Sequence, residues 1–136
     1  MGPSDGSHVE AKLDSIGLKN SLAREMSQLF STKSRLTMAQ YLSSELSVLD
    51  YGLPDFTSLS PVSQKDITLM AEVLTKCLEN FEPRLSMVLV NVRPDTVSKT
   101  SAHASVAAAV MIGRQALRVD FDLAFTPAGG MRLQHA

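Results

Sequence analysis

The hydrophobic period of this chain changes at Pro83. Before the proline, apolar residues recur at the three- and four-residue spacings of an amphipathic helix, and after it they alternate as in a β-strand. Because a proline disfavours helical geometry at the residue before it, the preceding helix is expected to end by Phe81. This order predicts an α+β domain, with N-terminal helices packed on one face of a small antiparallel sheet whose strands are mostly C-terminal.

Three helical segments are expected before the proline. The first carries a one-sided apolar stripe over residues 18–30, and either Asn20 or Ser21 fits its N-cap. The second is weaker and begins after Thr37, whose hydroxyl suits an N-cap. The third and strongest begins after Ser63, another N-cap residue. Each start is therefore marked by a side chain that can satisfy free backbone N–H groups.

A loop over residues 47–56 separates the second helical segment from the third. Gly52 and Pro54 stop any helix there. We expect this loop to be extended and to place Leu53 and Phe56 on the core.

Three strands are expected after the proline, over residues 85–92, 104–112 and 118–125, with a reversal at residues 113–115. Such a sheet has two free edges, which are either protected or used to pair with another chain. We expect the first and last of these strands to supply the edges, and the pattern leaves open which of them is free to pair.

The composition fits a single globular domain. The chain has 136 residues, enough for one core, and 44% of them are apolar, which is not the composition of a disordered chain. We expect residues 1–15 to be a flexible segment, residues 16–126 to form the domain and residues 127–136 to be a loose tail.

The charge balance excludes several partner classes. Lys and Arg number 13 and Asp and Glu number 14, for a net charge of −1, so we expect no nucleic-acid partner. The longest uncharged apolar stretch, residues 106–112, is too short to span a bilayer, so no direct membrane insertion is expected.

The single cysteine, Cys77, lies on an apolar helix face and is expected in the core. A cytoplasmic location is the simplest interpretation.

The sequence predicts no cofactor and no metal site. His8, His103 and His135 are scattered and lack the spacing of metal ligands. No motif for nucleophilic catalysis occurs.

One catalytic hypothesis is a glycosidase pair of carboxyl groups, Glu79 or Glu82 with Asp55. This chemistry needs an acid with a raised pKa and two carboxyl groups about 5 to 9.5 Å apart. Arg84 beside Glu82 argues against it, because a nearby cation favours the ionised carboxylate.

Glu82 and Arg84 flank Pro83 at the helix-to-strand joint. A buried ion pair is costly unless its geometry is good and its remaining hydrogen bonds are satisfied. The pair therefore predicts one of two roles, a clamp within the domain or an anchor for a partner chain.

Two segments of the chain resemble one family. Residues 47–56, Ser-Val-Leu-Asp-Tyr-Gly-Leu-Pro-Asp-Phe, are similar to a stretch of the TssE family, the type VI secretion baseplate subunits related to wedge proteins of contractile phage tails. Residues 81–85, Phe-Glu-Pro-Arg-Leu, resemble its Glu-Pro-Arg motif, and residues 119–122 resemble its last strand. The likeness spans residues 18–125, although Asp50 stands where the family usually has Asn.

The resemblance implies a structural role without enzymatic activity. Members join TssF, TssG and TssK in a cytoplasmic baseplate docked at the inner-membrane complex, and they start sheath assembly by strand pairing with TssB and TssC. It implies partner binding by the Glu-Pro-Arg element, here Phe81, Glu82, Pro83, Arg84 and Leu85. Two alternatives stay open: a peptidoglycan hydrolase, after the family's old lysozyme-like label, and a generic α+β adaptor.

Overall fold

The computed structural model describes the backbone of residues 2–135 and the side chains of residues 16–134. Helices precede a four-stranded antiparallel sheet, so the α+β prediction is confirmed. The elements are α1 (Gly2–Ser31), α2 (Met38–Ser43), a 3-10 turn (Val48–Asp50), α3 (Gln64–Phe81), β1 (Ser86–Pro94), β2 (Ala102–Ile112), β3 (Gln115–Thr126) and β4 (Gly130–His135).

Helix α1 starts much earlier than predicted. It begins at Gly2, so Asn20 and Ser21 lie inside it and neither is its N-cap. Residues 2–15, expected to be a flexible segment, are helical in spite of Gly2, Pro3 and Gly6, and residues 8–16 contain no Gly or Pro. Of the helices that the structure describes, none is long and apolar enough to cross a membrane.

The other two helix starts are confirmed. Thr37 and Gln40 form a reciprocal capping box at α2, with N–H to side-chain distances of 3.2 and 3.0 Å. Ser63 caps α3 by accepting the N–H of Asp66. The Asp66 carboxylate does not bond back to the N–H of Ser63, so α3 has no reciprocal capping box. It instead accepts the N–H of Ser60 at 2.8 Å. At the other end α3 stops at Phe81, as the proline predicted.

A fourth strand occupies the segment that we predicted to be a loose tail. Residues 127–129 form a turn in which the Gly129 N–H donates to the Thr126 hydroxyl at 3.0 Å. Gly130 then adopts a positive φ of 68° and starts β4. Met131 is 5% exposed, so β4 is held by burial as well as by pairing with β3. The Pro-Ala-Gly-Gly sequence therefore encodes a hairpin turn.

The fourth strand changes which strands are edges. The order in the described sheet is β1-β2-β3-β4, with every neighbouring pair antiparallel. The strand predicted over residues 118–125 is therefore internal, and the edge prediction is wrong for it, whereas β1 is an edge. The predicted reversal is a two-residue turn at Gly113 and Arg114, since Ile112 pairs with Gln115.

One face of the sheet and the helices enclose the core. Burial alternates along β2 and β3, which leaves the opposite face of the sheet accessible. Helix α3 lies against β1, and α1 lies against β4. Leu53 and Phe56 are 4% and 3% exposed, so the loop lies on the core as predicted. Cys77 is fully buried, which confirms it as a core residue.

Candidate functional site

The joint between α3 and β1 carries the residues predicted to bind a partner. Glu82 is the C-cap of α3, and its N–H donates to the carbonyl of Leu78 at 3.0 Å. Its own carbonyl accepts the N–H of Leu85 at 3.1 Å, which closes a tight turn around Pro83 and Arg84. The turn directs the Arg84 side chain toward α1.

Arg84 links this joint to α1. Its Nη2 donates to Glu25 Oε2 at 2.6 Å, and its Nε donates to Glu82 Oε1 at 3.3 Å. Glu25, Glu82 and Arg84 together are called the carboxyl–guanidinium cluster below. The cluster ties the first helix to the start of the sheet, so the contacts within the domain are those of a clamp. Binding of a partner by the same arginine stays a prediction.

The two carboxyl groups of the cluster have opposite pKa shifts. Burial of Glu82, which is 2% exposed, and then its contact with Glu25 raise the pKa of Glu82 to about 7. The hydrogen bond between the two side chains lowers the pKa of Glu25. Arg84 favours the ionised form of Glu82, as expected, but desolvation and the second carboxyl group outweigh it, so the net shift of the pKa of Glu82 is upward.

The five residues predicted to bind a partner differ in how accessible they are. Glu82 and Leu85 are buried, at 2% and 7% exposed. Phe81 is half-buried and packs edge-to-face on Tyr51, with ring centroids 5.4 Å apart. Pro83 and Arg84 are exposed. Phe81, Glu82 and Leu85 thus shape the joint from inside, and Pro83 and Arg84 form its outer surface.

Glu25 is the member of the cluster that sequence reasoning missed. It lies 59 residues before Arg84, on the polar side of a helix pattern, where many solvated glutamates are found. A single sequence carries no signal for such a pairing, because the helix and the joint meet through tertiary packing. The buried position of Glu82 could have suggested a missing partner, since buried carboxyl groups need hydrogen bonds.

The loop over residues 47–56 contains a rigid turn at its start. Ser47 and Asp50 form a reciprocal capping box around the 3-10 turn, and the Ser47 N–H donates to Asp50 Oδ2 at 2.9 Å. Arg35 Nε lies 3.6 Å from the same carboxyl group, at Oδ1. The backbone hydrogen bond from Ser47 is the main cause that lowers the pKa of Asp50. An ionised Asp50 thus fixes the turn and pairs with Arg35.

The carboxyl groups of the glycosidase hypothesis do not share a site. Asp55 lines an open cleft of about 590 Å³ between the end of α1, the loop and the β3–β4 turn. Glu79 lines a separate depression on α3, and Glu82 lines neither of these two. A hydrogen bond from the Thr57 N–H lowers the pKa of Asp55. Neither Glu79 nor Glu82 therefore lines the cleft that holds Asp55.

His103 has a structural partner in Asp95. Its Nε2 lies 2.6 Å from Asp95 Oδ1, and backbone N–H groups together with this contact lower the pKa of Asp95 to about 2. The side chains of His8 and His135 lie outside the described residues. Among residues 16–134, no group of three His, Cys, Asp or Glu side chains could hold a metal ion.

Comparison with known proteins gives one match. A family model described as "Baseplate wedge protein gp25" matches residues 17–115, which is well over half of the 136 residues. No curated protein sequence matches the chain. The matched region contains the loop over residues 47–56, the joint at residues 81–85 and the strands β1 and β2.

Proposed function

The chain belongs to the family of baseplate wedge protein gp25, and from this membership we propose that it is the TssE-type wedge subunit of a type VI secretion baseplate. In this role it joins TssF, TssG and TssK in the cytoplasm, at the inner-membrane complex, without catalysing a reaction. The sequence of residues 47–56 and of residues 81–85 supports the TssE-type assignment, and both segments lie inside the matched region.

The observation that carries the linking role is the exposed position of Arg84. Its side chain is 36% exposed, although Glu25 and Glu82 hold it in place. A guanidinium has five N–H donors in a rigid plane. The two carboxylate contacts and two long contacts of 3.5 Å, from Nη1 and Nη2 to Ser21 Oγ, use four of them and leave one N–H for a partner. A cation that is already ordered can form charge-assisted hydrogen bonds with little further loss of side-chain entropy.

Co-purification with TssF, TssG and TssK tests this role in the Arg84→Ala variant. We expect loss of the complex, together with a loss of stability of about 1–3 kcal/mol because Glu82 loses a buried partner. The matched control is Arg118→Ala, since Arg118 is 76% exposed and pairs with Asp120 on the open face of the sheet. Thermal unfolding of both variants shows whether the domain is still folded.

Two outcomes contradict the proposal in different ways. If both variants are retained equally, Arg84 is a clamp within the domain and another surface links the wedge. If the natural chain itself is not retained, the TssE-type assignment is wrong.

The proposal has a second part, which is strand pairing with the sheath proteins TssB and TssC. β1 is poorly suited to it, because its pairing with β2 shifts between Ser86 and Leu89, Met87 has a positive φ of 52° and Pro94 lacks an N–H. Such irregularities protect an edge from pairing. β4 also has a register shift against β3, between Asp122 and Leu123, but it contains no proline and no positive φ beyond Gly130, its first residue. We therefore propose that β4 is the strand that pairs, since added strands gain main-chain hydrogen bonds without special side chains.

A further inference from the structure

The open cleft that holds Asp55 runs along the free edge of β4. Its volume is about 590 Å³, and four consecutive residues of β4, Gly130–Leu133, line it. Successive residues of a strand point to opposite faces of the sheet, so a cleft on one face would be lined by alternate residues only. The cleft therefore follows the edge of β4 that β3 does not occupy. We call it the edge slot.

The backbone on this side of β4 has no partner within the part of the chain that the structure describes. Gly130–Leu133 pairs with β3, and the backbone of these four residues makes no further hydrogen bond to other described residues. Main-chain groups that are free at a sheet edge can pair with a strand of another chain. The edge slot thus presents hydrogen-bonding groups along one of its walls.

The opposite wall consists of the last turns of α1 and the loop. Ser27 and Phe30 line it from α1, and residues 53–57 line it from the loop. The N–H of Leu53 donates to the Thr32 carbonyl at 2.9 Å, which fixes the loop to the end of the helix. Because this wall is already held in place, a segment that enters the edge slot requires little further ordering of the protein.

The floor of the edge slot is apolar. It is formed by residues that are each at most 6% exposed, namely Phe30, Leu53, Phe56, Phe125 and Met131. The side chains of an extended segment alternate in direction, so every second one would lie over this floor. Apolar side chains at those positions would lose contact with water, which stabilises the complex.

The charged groups of the edge slot favour an acidic residue in the segment that it receives. Its charged lining residues are Lys33, Arg132 and Asp55, which leaves a net charge of +1. Among the described side chains, Lys33 and Arg132 form no ion pair, whereas Asp55 accepts the N–H of Thr57 at 2.9 Å. Arg132 is exposed, so an acidic residue beside it on an added strand would form a cross-strand ion pair.

We propose that the edge slot receives the sheath strand that pairs with β4, and that this strand carries apolar residues toward the floor and an acidic residue beside Arg132. The inference rests on the strand pairing of the proposed function and adds the chemistry by which the strand is recognised. Main-chain pairing alone does not discriminate between sequences, since every strand offers the same N–H and C=O groups, and pockets for alternate side chains supply the specificity.

The first test blocks the edge slot. The affinity of the full-length chain for a co-purified TssB–TssC complex is measured by biolayer interferometry. We expect Ser27→Trp to bind at least about tenfold more weakly, because the indole would occupy the space of the strand. The matched control is Gln28→Trp, the next residue of α1, which is also exposed but does not line the slot. The control should bind like the natural chain, and both variants should unfold within about 3 °C of it.

The second test reverses the charge of the edge slot. Lys33→Glu/Arg132→Glu should also bind the TssB–TssC complex at least about tenfold more weakly, because the acidic residue of the strand would then face like charges. The matched control is Lys65→Glu/Arg114→Glu, which changes two exposed cations outside the slot. It should bind like the natural chain.

Four outcomes overturn the inference. If the natural chain binds TssB–TssC and both slot variants bind equally well, the slot is not part of the interface and the strand pairing still stands. Equal weakening by Ser27→Trp and Gln28→Trp would assign the effect to α1 and not to the slot. If the natural chain does not bind at all, the strand pairing and the slot both fail. If light scattering shows that the natural chain self-associates and Ser27→Trp does not, the slot holds a second copy of this chain.

Discussion

Glu82 is a buried acid whose charge depends on the residues packed around it. The proline that follows places it at the end of α3, where burial, and then the tertiary contact with Glu25, raise its pKa and make its ionised form costly. Arg84 offsets part of this cost by bonding both carboxyl groups. The joint is therefore sensitive to pH in a range where most glutamates are fully ionised.

We expect the stability of the domain to fall as the pH rises from 4.5 to about 7. The pKa of Glu82 is about 7 in the folded state against an ordinary value of 4.5, so the folded state binds the proton more tightly. Its contribution is complete below pH 4.5 and is lost by about pH 7, which amounts to about 1–3 kcal/mol. Urea unfolding at half-unit pH steps measures this fall.

Two glutamine variants isolate the source of this pH dependence. Glu82→Gln should flatten the profile, because an amide cannot ionise. Glu79→Gln, at an exposed position on the same helix, should keep it. A fall of equal size in both variants would show that another group is responsible.

At the scale of elements, the end of α1 and the loop over residues 47–56 hold each other. The N–H of Leu53 donates to the Thr32 carbonyl and the N–H of Ser34 donates to the Leu53 carbonyl, both at 2.9 Å. The Tyr41 hydroxyl from α2 donates to the Gly52 carbonyl at 2.9 Å. Three segments therefore meet at Gly52. Its φ of 116° is a conformation that, among the common residues, only glycine adopts without strain.

Gly52→Ala should destabilise the domain by about 2–4 kcal/mol, since it adds backbone strain to a steric clash. A Cβ at this position would collide with the Thr32 carbonyl oxygen. Gly113→Ala is the control, because Gly113 also has a positive φ but open space around its Cα. It should cost only about 1–2 kcal/mol. Equal losses in urea unfolding would mean that the close approach to Thr32 contributes nothing.

At the scale of the whole molecule, the proposed contacts fall on different elements. Arg84 belongs to the joint, which meets the loop over residues 47–56 through the contact of Tyr51 with Phe81. The β4 edge lies at the opposite end of the strand order from β1, the strand that follows the joint. A subunit with this arrangement could hold its wedge partners and still offer a strand to the sheath.

Cysteine cross-linking distinguishes the two edges in the assembled apparatus. Gln134→Cys on β4 should cross-link to TssB or TssC, whereas Asn91→Cys on β1 should not, and both positions are exposed. The native Cys77 should form no cross-link, because it is fully buried and burial raises its pKa to about 12. Cross-links from Asn91→Cys alone would assign the pairing to β1.

Local sequence determined the types of element and several of their ends. Pro83 acts on the residue directly before it, and the caps at Thr37 and Ser63 bond within three residues. The change of hydrophobic period separates the helical part from the sheet, because each secondary structure imposes its own spacing on a buried face. These features are short-range, so a single sequence contains them.

Tertiary structure decided the fourth strand, the edges and the chemistry of the joint. The last strand has few residues and a weak pattern, and it is held by pairing with β3 and by packing against α1. Glu25 meets Arg84 across 59 residues of chain, a distance over which no local pattern operates. The raised pKa of Glu82 likewise follows from the exclusion of water, which depends on everything that packs around a group and not on its neighbours in sequence.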